Sequence, residues 1–319
     1  MADPATPDSG HGADTLDRAR FQVVFQEDFA GPALAADRWV AHYLPQWSSP
    51  ERSAARYDLD PGVLTLRVDA DQPPWRPEDG ELRVSNIQTG SFAGPVGSDR
   101  GTHRHRPDLT VRTAQPTRRL YTPSTGMVEA RLRATADPTC MLAVWLVGFE
   151  ETAPEQSGEI CIAELYGHAL GSGGSRVRMG IKAHQDPRLR QDMADVALDI
   201  DATDWHTYAA AWTAQETRFY VDDRLVRTVP QSTDYALQLM VDLFEFPAGP
   251  VRDPAAYPKL GQVASVRGYR PTGPDQSRPA DEERRYGNVR DRHLPRPPVV
   301  LQTDDGTQPG HRRRGNLSV

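Results

Sequence analysis

Cysteine and lysine are almost missing from this chain of 319 residues. Its two cysteines are Cys140 and Cys161, and its two lysines are Lys182 and Lys259. Two cysteines make no disulfide framework and neither demand nor forbid an oxidising compartment. Arginine carries nearly all of the positive charge, which reads first as the codon habit of a GC-rich genome. No apolar run approaches the roughly 18 residues that a membrane span needs. Residues 1–17 have no apolar stretch of the kind an export signal requires, so no secretory leader is expected. A long 3.6-residue apolar stripe is missing, as is any repeat at solenoid or propeller spacing, which argues against helical and repeat architectures. The net charge of −7 is wrong for neutralising phosphates, so nucleic acid is not an expected partner. The apolar share is 38%, low enough to suggest that part of the chain joins no core.

What the sequence does hold is a series of short β-rich runs separated by turn clusters. They include Phe21–Phe29, Val63–Val68, Gly126–Ala134, Met141–Gly148, Glu159–Leu165, Arg176–Ala183, His206–Thr213, Thr217–Val221, Leu239–Phe246 and Val263–Tyr269. Many alternate with period 2, as Val128, Ala130 and Leu132 do against Glu129, Arg131 and Arg133; this suits a strand with one wet face. Asp222-Asp223 separates two such runs and predicts a hairpin turn. So many strands predict an all-β protein, a two-sheet antiparallel sandwich or jelly roll. Residues 1–18 read as a loose arm, 19–270 as the β-sandwich domain, and 271–319, rich in Pro and Arg, as a disordered tail. The loops Asp69–Gly80 and Gly94–Arg118 are long enough to be functional or disordered.

The segment Gly158-Glu159-Ile160-Cys161-Ile162-Ala163-Glu164-Leu165 carries the most chemistry. In a regular strand Glu164 would share a face with Ile160 and Ile162, an expensive place for a carboxylate. One β-bulge between Ile162 and Glu164 would turn Glu159, Cys161 and Glu164 to the same side. The two backbones would then lie about 13 Å apart, and glutamates leaning together would leave roughly 5 Å between carboxylates. That gap suits a retaining glycosidase, in which one carboxylate attacks the sugar and the other protonates the leaving oxygen. Two exposed glutamates on a wet face remain the plainer alternative.

The segment resembles the strand motif E-x-D-x-x-E of glycoside hydrolase family 16. Further segments match that family in order. Phe25-Gln26-Glu27-Asp28-Phe29-Ala30-Gly31 with Trp39 is similar to its first strand, and Gly126-Met127-Val128-Glu129-Ala130-Arg131 to its G-x-x-E-A-R strand. Met141–Leu146 is similar to its tryptophan-bearing strand, and His206-Thr207-Tyr208 through Trp212, then Phe219-Tyr220-Val221-Asp222, to its H-x-Y…W and F-Y-V-D region. The resemblance spans about residues 20–270. It implies a concanavalin A-like jelly roll with a concave substrate cleft and endo-acting, retaining hydrolysis of a β-1,3- or β-1,3/1,4-glucan by double displacement. In that scheme Glu159 is the nucleophile and Glu164 the general acid/base, while Trp145 packs on the sugar. His184, Trp47, Tyr166, Trp205 and Tyr43 are further candidates for substrate contact. The expected partner is a polysaccharide or oligosaccharide, with no membrane and a monomeric state; relatives are mostly secreted.

Two departures qualify that expectation. Cys161 replaces the central aspartate of the motif, removing a negative charge that would help the acid keep its proton, so reduced activity or a non-catalytic carbohydrate-binding role is the alternative. Ala264 stands where members of the family commonly place an acidic calcium ligand, so a structural calcium stays open but has no support at this position, and no other cofactor is predicted. Cys140 and Cys161 are expected on opposite strand faces and therefore unbonded.

Overall fold

The computed structural model describes residues 15–246 and 253–273. Their strands are β1 (Phe21–Glu27), β2 (Arg56–Asp60), β3 (Val63–Val68), β4 (Arg83–Gln88), β5 (Gly90–Ser91), β6 (Arg118–Arg119), β7 (Gly126–Arg133) and β8 (Cys140–Gly148). There follow β9 (Glu159–Tyr166), β10 (Ser175–Lys182), β11 (Asp192–Leu198), β12 (His206–Trp212), β13 (Thr217–Val221), β14 (Arg224–Val229), β15 (Leu237–Glu245) and β16 (Lys259–Pro271). Two antiparallel sheets form the jelly-roll sandwich. One runs β14-β13-β12-β7-β16-β3-β2 with β1 also paired to β16; the other runs β11-β10-β9-β8-β15-β4.

Alternation explains the layers. Leu142, Val144 and Leu146 of β8 and Leu239, Val241 and Leu243 of β15 meet Val128, Ala130 and Leu132 of β7 in the main core between the sheets. Met141, Ala143, Trp145 and Val147 point the other way, into a second apolar cluster with Tyr43, Trp47, Trp75, Leu109 and Val111. β8 is therefore apolar at nearly every position because both of its faces are covered. The cover comes from the two long loops expected to be functional or disordered. Trp75 Nε1 donates to Tyr43 O at 3.0 Å, and Trp47 Nε1 to Thr102 O at 3.0 Å, so these loops are packed onto the sheet.

β2, β4 and β11 lie outside the runs read from the sequence. β4 escaped notice because Arg83, Ser85, Asn86 and Gln88 give it no apolar alternation, yet all six of its residues are buried and it pairs with β15. The expected loose arm is also shorter than 1–18. Leu16 is buried, its N–H donates to Asp223 O at 2.8 Å, and Arg18 bonds Glu129 and Asp223, each at 2.6 Å. One apolar residue and one doubly paired arginine outweigh the polar composition around them. Residues 1–14 lie outside the described residues. At the other end β16 runs through Pro271, and the rest of the expected tail, 274–319, lies outside the described residues. Asp222 and Asp223 do form the β13–β14 turn, both at positive φ, 46° and 69°.

Candidate active site

β9 carries a one-residue bulge. Against β8, Val144 pairs with Ala163 and Trp145 with Cys161; against β10, Arg178 pairs with Glu164 and Gly180 with Cys161. The inward-facing set accordingly shifts from Ile160 and Ile162 to Ala163 and Leu165, all in the main core. Glu159, Cys161 and Glu164 are left together on the outer face, their carboxylate and thiol atoms all within 4.8 Å of one another. The conflict legible in the sequence, two isoleucines against a glutamate, is resolved by this bulge. Gly180 opposite it sits at φ 146°, and a Cβ there would fall 2.0 Å from Asp192 O, so the crossing requires glycine.

The carboxylates are nearly covered: Glu159 is 3% exposed and Glu164 5%. Buried carboxylates are costly without charged partners, and the partner here is Lys182 at the end of β10, in register with Glu159. Its Nζ donates to Glu159 Oε1 at 2.9 Å and to Glu164 Oε1 at 2.7 Å. The Cys161 thiol donates to Glu159 Oε1 at 2.7 Å, and His184 Nε2 lies 2.7 Å from Glu159 Oε2. Burial pushes the Glu159 carboxyl upward, but the Lys182 charge and the His184 bond outweigh it and hold Glu159 well below the usual carboxylate range. Burial lowers Lys182, yet the Glu159 and Glu164 carboxylates outweigh that and hold it above its ordinary value. Burial, then the Glu159 charge, pushes the Cys161 thiol far up, so it is neutral and no nucleophile. Cys140 lies in the inter-sheet core, on the opposite face, and both cysteines are free.

Trp145 lies beside the pair. Its Nε1 donates to Asp242 Oδ2 at 2.6 Å, and Asn86 Nδ2 donates to Asp242 Oδ1 at 2.7 Å. Burial pushes the Asp242 carboxyl well above the usual range. His103, from the loop between β5 and β6, packs edge-on against Trp145 and His184 with centroids 5.2 and 4.9 Å away. Its backbone N–H donates to the buried carboxyl of Glu150 at 2.6 Å. Tyr166 is half-buried, its hydroxyl 3.5 Å from Glu164 Oε2.

Of the residues singled out in the sequence, Glu159, Cys161, Glu164, Trp145, His184 and Tyr166 are brought together. Trp47 and Trp205 are not, and Tyr43 is buried edge-on against Trp75 and Phe244. Trp47 is completely buried, so it supports the loops and offers no face to a sugar. Trp205 lies by Arg131 and Arg133, with centroid distances of 5.8 and 5.2 Å. Those arginines alternate with the core residues Ala130 and Leu132 of β7, so Trp205 sits on the outside of the eight-stranded sheet. Lys182, His103 and Asp242 were missed. The signal for Lys182 was there, one of two lysines in the chain on the strand following the glutamates; nothing in the sequence signalled His103.

Among the described residues, two groups have metal-ligand chemistry: His103, Glu159 and His184, and the trio Glu159, Cys161 and Glu164. A family-type calcium at Ala264 does not fit. The methyl group offers no ligand, and the surrounding cavity is walled by Arg18, Arg131 and Arg267 as well as Asp28 and Glu129. Among the described residues no helix is long and apolar enough to cross a membrane.

The family model for glycosyl hydrolases family 16 matches residues 118–252. No curated protein matches the sequence. Among solved structures, the GlcNAcα1-4Gal-releasing endo-β-galactosidase from Clostridium perfringens is 25% identical with a TM-score of 0.68, over 82% of this chain and 66% of that one. The laminarinase from Rhodothermus marinus is 20% identical with a TM-score of 0.57, over 79% of this chain and 98% of that one. The laminarinase from Flavobacterium sp. UMI-01 is 18% identical with a TM-score of 0.55, over 78% and 100%. The family model spans β6 through β15, the stretch that holds the bulged carboxylate strand, so this part of the chain is similar to glycosyl hydrolases family 16.

Proposed function

We propose that the protein is an endo-acting, retaining glycosidase that cleaves a β-1,3- or β-1,3/1,4-linked glucan by double displacement. The observation that carries this reading is the bulge, which gathers Glu159 and Glu164 to within 4.8 Å, close to the spacing of roughly 5–5.5 Å used for retention. Glu159, held ionised, attacks the anomeric carbon while Glu164 gives its proton to the departing oxygen. Glu164 then takes a proton from water, which displaces Glu159 and restores both carboxyls. Trp145, fixed by Asp242, forms the wall against which the sugar ring packs, and His184 orients Glu159.

The test is reducing-sugar release from laminarin, lichenan, agarose and carrageenan, with the first product anomer read by NMR. Release of β-anomer, abolished in Glu159→Gln and Glu164→Gln, is expected; α-anomer as first product would sink retention. Agarose is in the panel because the most similar of these structures, by identity and TM-score, is an endo-β-galactosidase.

A second reading is supported by Lys182, whose ammonium bridges both carboxylates and whose side chain is 27% exposed where theirs are nearly covered. An incoming sugar meets that cation first. With Cys161 in the motif as well, this favours a carbohydrate-binding protein with little or no turnover. Binding to one of the same glycans without release of sugar would select it.

A further inference from the structure

We propose that His103, His184 and Glu159 form a binding site for a divalent transition-metal cation of the Zn2+ class, which closes the site by tying up the Glu159 carboxylate. The binding stands on geometry alone; the closing effect rests on the reading of Glu159 as nucleophile.

The donors come from three separate elements: His103 from the β5–β6 loop, Glu159 from β9, and His184 from just after β10. Their ligating atoms already lie within 4.8 Å of one another. Zinc bonds of about 2.0–2.2 Å would set neighbouring donors roughly 3.3 Å apart. Shifts on the order of 1 Å would therefore complete the site, with water in the fourth position. The Glu159 oxygens are divided suitably. Oε1 accepts from Lys182 and Cys161, while Oε2 faces His184 and is the atom left for a cation.

His103 is otherwise hard to account for. It is 91% buried by the complement of its 9% exposure, and the hydrogen bonds it makes use its backbone: N–H to Glu150, and C=O from His105 Nδ1 at 3.3 Å. Its imidazole is aimed at the Glu159–His184 pair. Both histidines sit at positive φ, 56° and 46°. Two imidazoles and a carboxylate suit zinc, copper or nickel, whereas calcium and magnesium want oxygen ligands.

The experiment is calorimetric titration of the full chain with ZnCl2 and, separately, CaCl2, on the wild type, His103→Ala, His103→Asn and His184→Ala. The expected result is one Zn2+ per chain, no Ca2+ binding, and affinity about tenfold or more weaker in each variant. The asparagine variant, with circular dichroism on all four proteins, guards against a packing defect. Absence of stoichiometric Zn2+ binding, or unchanged affinity in the folded variants, overturns the site. A chain that binds Zn2+ but releases no sugar from any glycan leaves the site standing and removes only the hydrolase reading. Hydrolysis unaffected at saturating Zn2+ overturns the closing role.

Discussion

The Lys182 ammonium lies 2.9 Å from Glu159 and 2.7 Å from Glu164, so one cation ties together two carboxylates five residues apart on one strand. The tie takes the place of the balance that three acids would strike along the motif. It neutralises part of a negative charge that burial makes expensive, and Cys161 contributes a thiol proton in place of a third carboxylate.

Lys182→Met removes the cation and keeps the length of the side chain. Among the groups that pull Glu159 downward, Lys182 is the foremost, so the Glu159 carboxyl should move up toward the ordinary range. The acid limb of the rate–pH profile should then shift to higher pH. Stability follows the same sign. A depressed carboxyl contributes stability that is present above its unfolded value and lost as pH falls through the folded one. In Lys182→Met the folded value lies closer to the unfolded one, so the acid-side loss should be smaller and end at higher pH, while the melting temperature at neutral pH should drop, by a cost on the order of a few kcal/mol for stranding buried carboxylates. Rate profiles and melts from pH 3 to 8 check both; coincident curves for wild type and variant would remove Lys182 from the electrostatics.

Cys161→Asp restores the acid that the motif lacks. The new carboxylate would stand where the thiol now meets Glu159 and within reach of the Lys182 ammonium, which can balance it. We expect hydrolysis of β-glucan to rise by about tenfold, less than the roughly hundredfold or more that a positioned acid–base group itself supplies. The measurement is kcat/KM on laminarin and lichenan. If the variant is no faster on any β-glucan, and Glu159→Ala is equally without effect, Glu159 and Glu164 lose their catalytic assignment.

Glu150 anchors the His103 loop through its bond to the His103 N–H, and burial pushes its carboxyl up to about 8. A carboxyl raised in the folded state holds a proton that the unfolded chain gives up, so stability declines as pH rises from about 4.5, the ordinary value, to about 8. Glu150→Gln keeps the shape without the titration. Its melting temperature should change less than that of the wild type across this window, as thermal melts at fixed ionic strength would reveal. Equal slopes would mean that the loop is not governed by Glu150.

Much of the strand order could be read directly, because period-2 alternation is a local property of the chain. Ile160, Ile162 and Glu164 went further and demanded a bulge, since a carboxylate placed with two core isoleucines has no partner there. Alternation is missing where the partners are distant: β4 is buried through polar residues that pair with β15, and Leu16 is buried against Met127, Ala209, Tyr220 and Tyr269.

The sequence by itself determined an all-β sandwich and two glutamates turned to one side of a bulged strand, because both follow from side-chain alternation and the cost of burying charge. Only the tertiary structure decided what surrounds those glutamates. Which aromatic faces the site, as Trp145 does and Trp205 does not, depends on the sheet each strand joins. That Lys182 and His103 meet Glu159 depends on the register of β10 and the path of a long loop. Those are long-range contacts, and no local pattern encodes them.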